Sequence, residues 1–300
     1  MKYGGVWERK GRNPLVAAFL LVIALGALYS LVQTLALGGY VFVDALRGGS
    51  RAEGGAQEGL AAFAELYRRY RPAILIVLAA TQYGIFLLPP LALVRRWHTR
   101  EVGSYLRFRA FTWRGLVISL LGEVFLLPAV LEIVQRLYSL FPGLERWSEA
   151  MEAFIVAPEP AQLAFTLFVI AFTPALCEEV LFRGYLQSTL ERRMSAPWHF
   201  ILSGAVFALF HQQLLSLPSL FLVGLFLGYL FFRFRSIYLT MLAHFLYNSL
   251  VILLANYQPK GGVLFDAEGS FRLPVVGVSA LLFALTVLAA ELRVARSRAR

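Results

Sequence analysis

The chain has one cysteine, Cys177, and only two aspartates, Asp44 and Asp266, among its 300 residues. A lone thiol excludes an intrachain disulfide and a cysteine metal cluster. Two aspartates read as lying in loops, outside the apolar stretches, exclude an aspartyl dyad inside a membrane. Charge is scarce as well: 15% of residues are charged, where a soluble domain carries about a quarter. That shortage excludes an ordinary soluble fold. No internal repeat, low-complexity tract or Pro/Ser-rich linker divides the sequence, so residues 1–300 read as a single integral membrane domain.

What the chain has instead is apolar length. Hydrophobic residues make up 59% of it, and mean hydropathy is +0.66. A helix needs roughly 20 apolar residues to cross about 30 Å of hydrocarbon. Windows of that kind fall near 14–37, 72–94, 114–134, 161–190, 198–213, 216–232, 236–256 and 271–292. The expectation is an all-α, polytopic membrane protein with about eight transmembrane helices around an intramembrane cavity. The fifth and sixth windows are short, and a re-entrant hairpin is compatible with them. Thr34-Leu35-Ala36 has a faint likeness to a signal-peptidase site, but the first window is long for a cleaved segment, so a retained helix is expected. Two further stretches, 57–71 and 144–155, carry apolar residues at helical spacing, which suits short helices at the headgroup level or packed on the bundle's rim.

Lys and Arg are distributed unevenly between the two faces. With the N-terminus inside, the cytoplasmic segments hold the clusters around Arg9, Arg95, Arg107, Arg192, Arg233 and Arg296, an excess of roughly two to one over the other face. Both termini are therefore expected in the cytoplasm, and in a prokaryote the inner membrane is the expected location. The net charge of +10 reads as a topogenic and lipid-facing signal and gives no reason to expect nucleic acid. Oligomeric state leaves no mark in the sequence.

Three polar clusters interrupt the apolar second half: Glu178-Glu179 with Arg183, His211, and His244 with Asn248. Ionisable groups inside a span are costly and mark function by default. Adjacent glutamates lie about 100° apart on a helix, and only Glu179 is four residues from Arg183. Glu179 and Arg183 are thus expected to neutralise one another, leaving Glu178 free to work. Pro174 cannot donate a backbone hydrogen bond to residue 170, so the helix is expected to kink or open just before the acids. A rise of about 1.5 Å per residue puts Glu179 roughly 16 Å, His211 about 20 Å and His244 about 12 Å from the inner ends of their helices. All three occupy one layer. A single ion pair or histidine would be unremarkable packing; three clusters at one depth point to a site. Glu123, in the third window, has no partner that the sequence names.

The stretch Glu178 to Leu186, the segment Phe207 to His211 and the segment His244 to Asn248 read EExxxR, FxxxH and HxxxN in that order. In order and spacing, over roughly residues 160–256, they resemble the CAAX-protease and bacteriocin-processing family of intramembrane proteases, similar to type II CAAX prenyl endopeptidases. The resemblance implies peptide-bond hydrolysis in a buried cavity, with residues 160–256 as the catalytic core. It implies that Glu178 and His211 activate water, that His244 and Asn248 stabilise the oxyanion or position water, and that Glu179 and Arg183 organise the site. The implied partner is a membrane-associated peptide or protein in the bilayer, on CAAX-like or other sequences.

Hydrolysis needs a base for water and donors for the oxyanion, and this set supplies both. No cofactor is favoured. Zinc on Glu178, His211 and His244 is the alternative, since two histidines and a glutamate can hold a hydrolytic metal, although no HExxH is present. The chain also has no rhomboid-like GxSG, and a thiol nucleophile at Cys177 is a remote option. Two other classes stay open: a catalytically silent immunity or scaffold member of the same family, and a proton-coupled transporter, whose spans also carry carboxylates and histidines.

Overall fold

In the computed structural model, residues 5–47, 56–141, 154–257 and 260–298 are described. They form helices α1 (Pro14–Leu46), α2 (residues 56–98), α3 (Trp113–Ser139), α4 (Pro160–Leu190), α5 (Trp198–Phe210), α6 (Leu217–Phe234), α7 (Ile237–Tyr257) and α8 (Leu273–Arg298). Local chemistry sets several starts. Asn13 accepts from the Leu15 amide ahead of Pro14, and Thr112 accepts from the Gly115 amide, so orphan N–H groups are capped by side chains. Seven of the helices are long and apolar enough to cross a membrane.

The exception is one of the two windows that the sequence marks as short. The fifth window forms a helix of 13 residues, about 20 Å long and so short of the hydrocarbon thickness. Gln212, with φ of 54°, turns the chain just after it. A correction concerns 57–71: it is the start of α2, continuous through Pro72, and no separate surface helix. Its Tyr67 is buried against Phe154 and its Tyr70 stacks on Tyr40 of α1. Asp44 likewise sits in the last turn of α1, beside Arg69 at 2.7 Å, and not in a loop. Most of the 144–155 stripe lies outside the described residues.

Contacts fix the direction of every helix relative to its neighbours. Gln33 meets Thr81 and Tyr40 meets Tyr70, so α1 and α2 run antiparallel. Arg71 bonds Thr166 and Gln82 bonds Glu178, so α2 and α4 run parallel. Gly122 faces Phe226 and Ser219 donates to the Val130 carbonyl, which sets α3 against α6. Arg183 reaches the Gly224 carbonyl and Gln187 the Gly228 carbonyl, one helical turn further along both α4 and α6. Helix α5 runs opposite to these two: Ser203 donates to the Phe182 carbonyl, and Gly204 packs on Gly224. Helix α7 opposes α4 through Ile170 with Asn248 and Glu179 with His244. Finally, Phe226 meets Phe283 and Arg233 reaches the Ala290 carbonyl, making α8 parallel to α6. The helices alternate in direction from α1 to α8, so the start of α1 and the end of α8 lie on one face.

Helix α4 is the axis of this bundle. Of its most apolar stretch 61% is buried, against 6% for α8. Outward-facing Leu20, Ile23, Leu281 and Leu285 are exposed, as expected of side chains that lipid would cover. The α5–α6 crossing is close because both residues at the contact are glycine. A Cβ on Gly204 would come within 2.8 Å of the Leu225 nitrogen, and one on Gly224 within 3.0 Å of the Gly204 carbonyl oxygen. Small residues at such a crossing let two backbones touch.

Candidate functional site

A cavity of about 420 Å³ opens in the interior of the bundle, with walls from α1 through α7. Glu178 from α4, His211 from the end of α5, and His244 and Asn248 from α7 all line it. Glu179 and Arg183 are not part of its wall. Glu178 thus lines the cavity, while its neighbour Glu179 pairs with Arg183 outside the wall.

Glu179 and Arg183 are both fully buried, and Arg183 Nη1 donates to Glu179 Oε1 at 2.8 Å. The second guanidinium arm donates to the Gly224 carbonyl at 3.0 Å, reachable because Gly224 carries no side chain. Arg183 also lies over the Phe207 ring, 4.6 Å from its centroid. An arginine in such a place exchanges hydration for a carboxylate, a carbonyl and an aromatic face, which is how a buried cation becomes tolerable. The same Glu179 Oε1 lies 3.0 Å from His244 Nδ1. An ionised carboxylate only accepts, so this nitrogen carries its proton. His244 is thereby fixed in orientation with Nε2 turned away from the carboxylate.

His211 is held differently. Its Nδ1 is 2.9 Å from the Phe207 carbonyl oxygen one turn earlier, an acceptor only, so Nδ1 is again the protonated nitrogen and Nε2 of the neutral ring is bare. The Phe207 ring lies 4.7 Å from the His211 ring and 5.7 Å from the His244 ring. One phenyl group therefore spaces both imidazoles and covers Arg183. From the far side α1 clamps the same turn: Gly26 makes room for the Phe210 ring, and the Gln212 amide donates to Ser30.

The expected opening of α4 is present. Hydrogen bonding widens to the five-residue pattern over Leu167–Phe172 and again over Val180–Gln187, on either side of the glutamates. Such local widening recurs at functional sites. Asn248 Nδ2 lies 3.4 Å from the Ile170 carbonyl, the group that Pro174 leaves without its α-helical donor. One amide N–H is thus engaged and the other is available to the cavity.

Two residues that sequence reasoning passed over also contribute. Gln82 of α2 donates from Nε2 to Glu178 Oε1 at 2.9 Å, and Tyr29 of α1 lines the cavity. A polar amide in the middle of an apolar window was the available signal for Gln82. Glu123, on α3, is fully buried with no hydrogen-bond partner on either oxygen. It is within electrostatic reach of Glu179 and Arg183, and so faces the bundle interior behind the cavity. For zinc, the described residues contain no group of three His, Cys, Asp or Glu side chains arranged to hold a metal ion.

This arrangement, two imidazoles and an amide facing a carboxylate across a buried cavity, lies within one stretch of chain. Residues 160–250 match the family model described as type II CAAX prenyl endopeptidase Rce1-like. This segment resembles an Rce1-like domain. It begins with α4 and runs into α7, so the Rce1-like segment contains every site residue expected from the sequence, whereas Gln82 and Tyr29 come from outside it. At family level the match supports an intramembrane CAAX-type protease. No curated protein and no solved structure matches the chain.

Proposed function

We propose that this protein is an intramembrane endopeptidase in which Glu178 and His211 activate the attacking water. The observation that carries the reading is the convergence of Glu178, His211, His244 and Asn248, from three helices, on one cavity from which the Glu179–Arg183 pair is set back. Glu178 Oε1 is occupied by Gln82, while Oε2 is buried without a partner. A bare carboxylate oxygen is the proton acceptor that water needs as it attacks.

The water oxygen bonds to the scissile carbonyl carbon, and its proton passes to Glu178, with the bare Nε2 of His211 accepting a hydrogen bond from the same water. The carbonyl oxygen becomes an oxyanion. Asn248 supplies an amide N–H to it, and His244 supplies Nε2–H when it carries both ring protons. Donors held in place before the reaction stabilise developing charge without reorganisation. Collapse of the intermediate breaks the C–N bond, and the proton held by Glu178 leaves with the amine.

The substrate is a membrane-associated peptide, with CAAX-like C-termini the first class to try. Both chain ends lie in the cytoplasm on this reading, supported by the basic residues at the inner ends of the helices and by the shared face of α1 and α8. The test is cleavage of defined peptides by the purified protein in bilayer nanodiscs, with Glu178→Gln as control. Peptide products from the wild type that are absent with Glu178→Gln support the reading; identical products from both overturn it.

A further inference from the structure

We infer that Gln82 is a positioning residue that holds the Glu178 carboxylate in register with the cavity through a neutral amide. The inference rests on the protease reading for what Glu178 does, but not for how it is held.

The two adjacent glutamates are each gripped by a donor, and the donors differ in kind. Glu179 takes a guanidinium from its own helix; Glu178 takes a neutral amide from α2. A guanidinium on Glu178 would stabilise the anion so far that it would resist accepting a proton. An amide fixes one oxygen and leaves the other bare. Gln82 is 4% exposed, its Nε2 is 2.9 Å from Glu178 Oε1, and both residues line the cavity. The remaining oxygens, Glu178 Oε2 and Gln82 Oε1, are buried with no partner.

The backbone around Gln82 is built to hold this contact. The residue opens a widened turn, Gln82–Leu87, packed against α4 beside the glutamates. The turn before it is fixed by Thr81, whose hydroxyl lies 2.9 Å from the Val77 and Leu78 carbonyl oxygens and receives the Gln33 amide of α1, also at 2.9 Å. Helices α1 and α2 thus complete a site whose other polar residues come from the Rce1-like segment.

The test uses the full chain in nanodiscs with Gln82→Met, close in shape but without an N–H, and Gln82→Leu as a second donor-free variant. Two readouts are taken. In peptide cleavage, kcat should fall about 10–100-fold with KM little changed, the scale expected when a reacting group loses its alignment. In infrared difference spectra against Glu178→Gln, the carboxylate band of Glu178 should shift when Gln82 is replaced, in both variants. Wild-type kcat together with an unshifted band would overturn the inference. If the wild type cleaves no peptide, the proposed function fails, and the infrared band still decides whether Gln82 grips Glu178.

Discussion

A single oxygen, Glu179 Oε1, joins Arg183 at 2.8 Å to His244 at 3.0 Å. The pair that neutralises charge on α4 therefore also orients a cavity imidazole on α7, and removing it should damage both. Breaking one partner of a buried pair costs about 3–5 kcal/mol. Glu179→Gln and Arg183→Leu should each lower the thermal unfolding midpoint in detergent markedly, whereas Glu178→Gln, which keeps shape and its contact with Gln82, should leave it near the wild-type value. Equal midpoints for all three variants would contradict this division.

The α5–α6 crossing gives a prediction that does not touch the polar residues. Gly204→Ala places a methyl group 2.8 Å from the Leu225 backbone, and overpacking of this kind costs about 1–3 kcal/mol. Because His211 terminates α5, the substitution should also reduce cleavage. Gly38→Ala, where nothing lies within 4 Å of the added carbon, is the matched control. A Gly204→Ala protein as stable as the control would show that the crossing is looser than described.

The topology is open to direct labelling. Lys10→Cys and Ser297→Cys in a Cys177→Ser background should both react from the cytoplasmic side only. Reaction of one from each side would contradict the alternating helices, and reaction of both from outside would invert the orientation.

Much of this was legible in the chain, for identifiable reasons. Apolar windows gave seven of the helices because a span must satisfy its backbone internally, and the four-residue spacing of Glu179 and Arg183 gave the ion pair. Pro174 announced the opening of α4. The length of α5 was not legible: its window stays apolar through Phe210, and only the left-handed turn at Gln212, with the grip of Ser30, stops it. Gln82, Tyr29 and the link from Glu179 to His244 join helices far apart in sequence and leave no periodic signal. Asp44 was misread because a charged residue near the end of a span resembles the start of a loop.

The route of water activation can be separated from metal catalysis. With Glu178 and His211 acting directly, cleavage should survive strong chelators and metal analysis should find no stoichiometric zinc. His244→Ala should then reduce turnover less than His211→Ala, since it removes a stabilising donor. Loss of activity on chelation, restored by Zn²⁺, would replace this mechanism with a metal-dependent one.

The central claim is that Glu178 is the base, and turnover by purified Glu178→Gln in nanodiscs tests it most directly. The substitution keeps the shape and removes the proton acceptor, so cleavage of a peptide hydrolysed by the wild type should fall to background while the unfolding midpoint is preserved. Full cleavage by a folded Glu178→Gln protein would contradict the account.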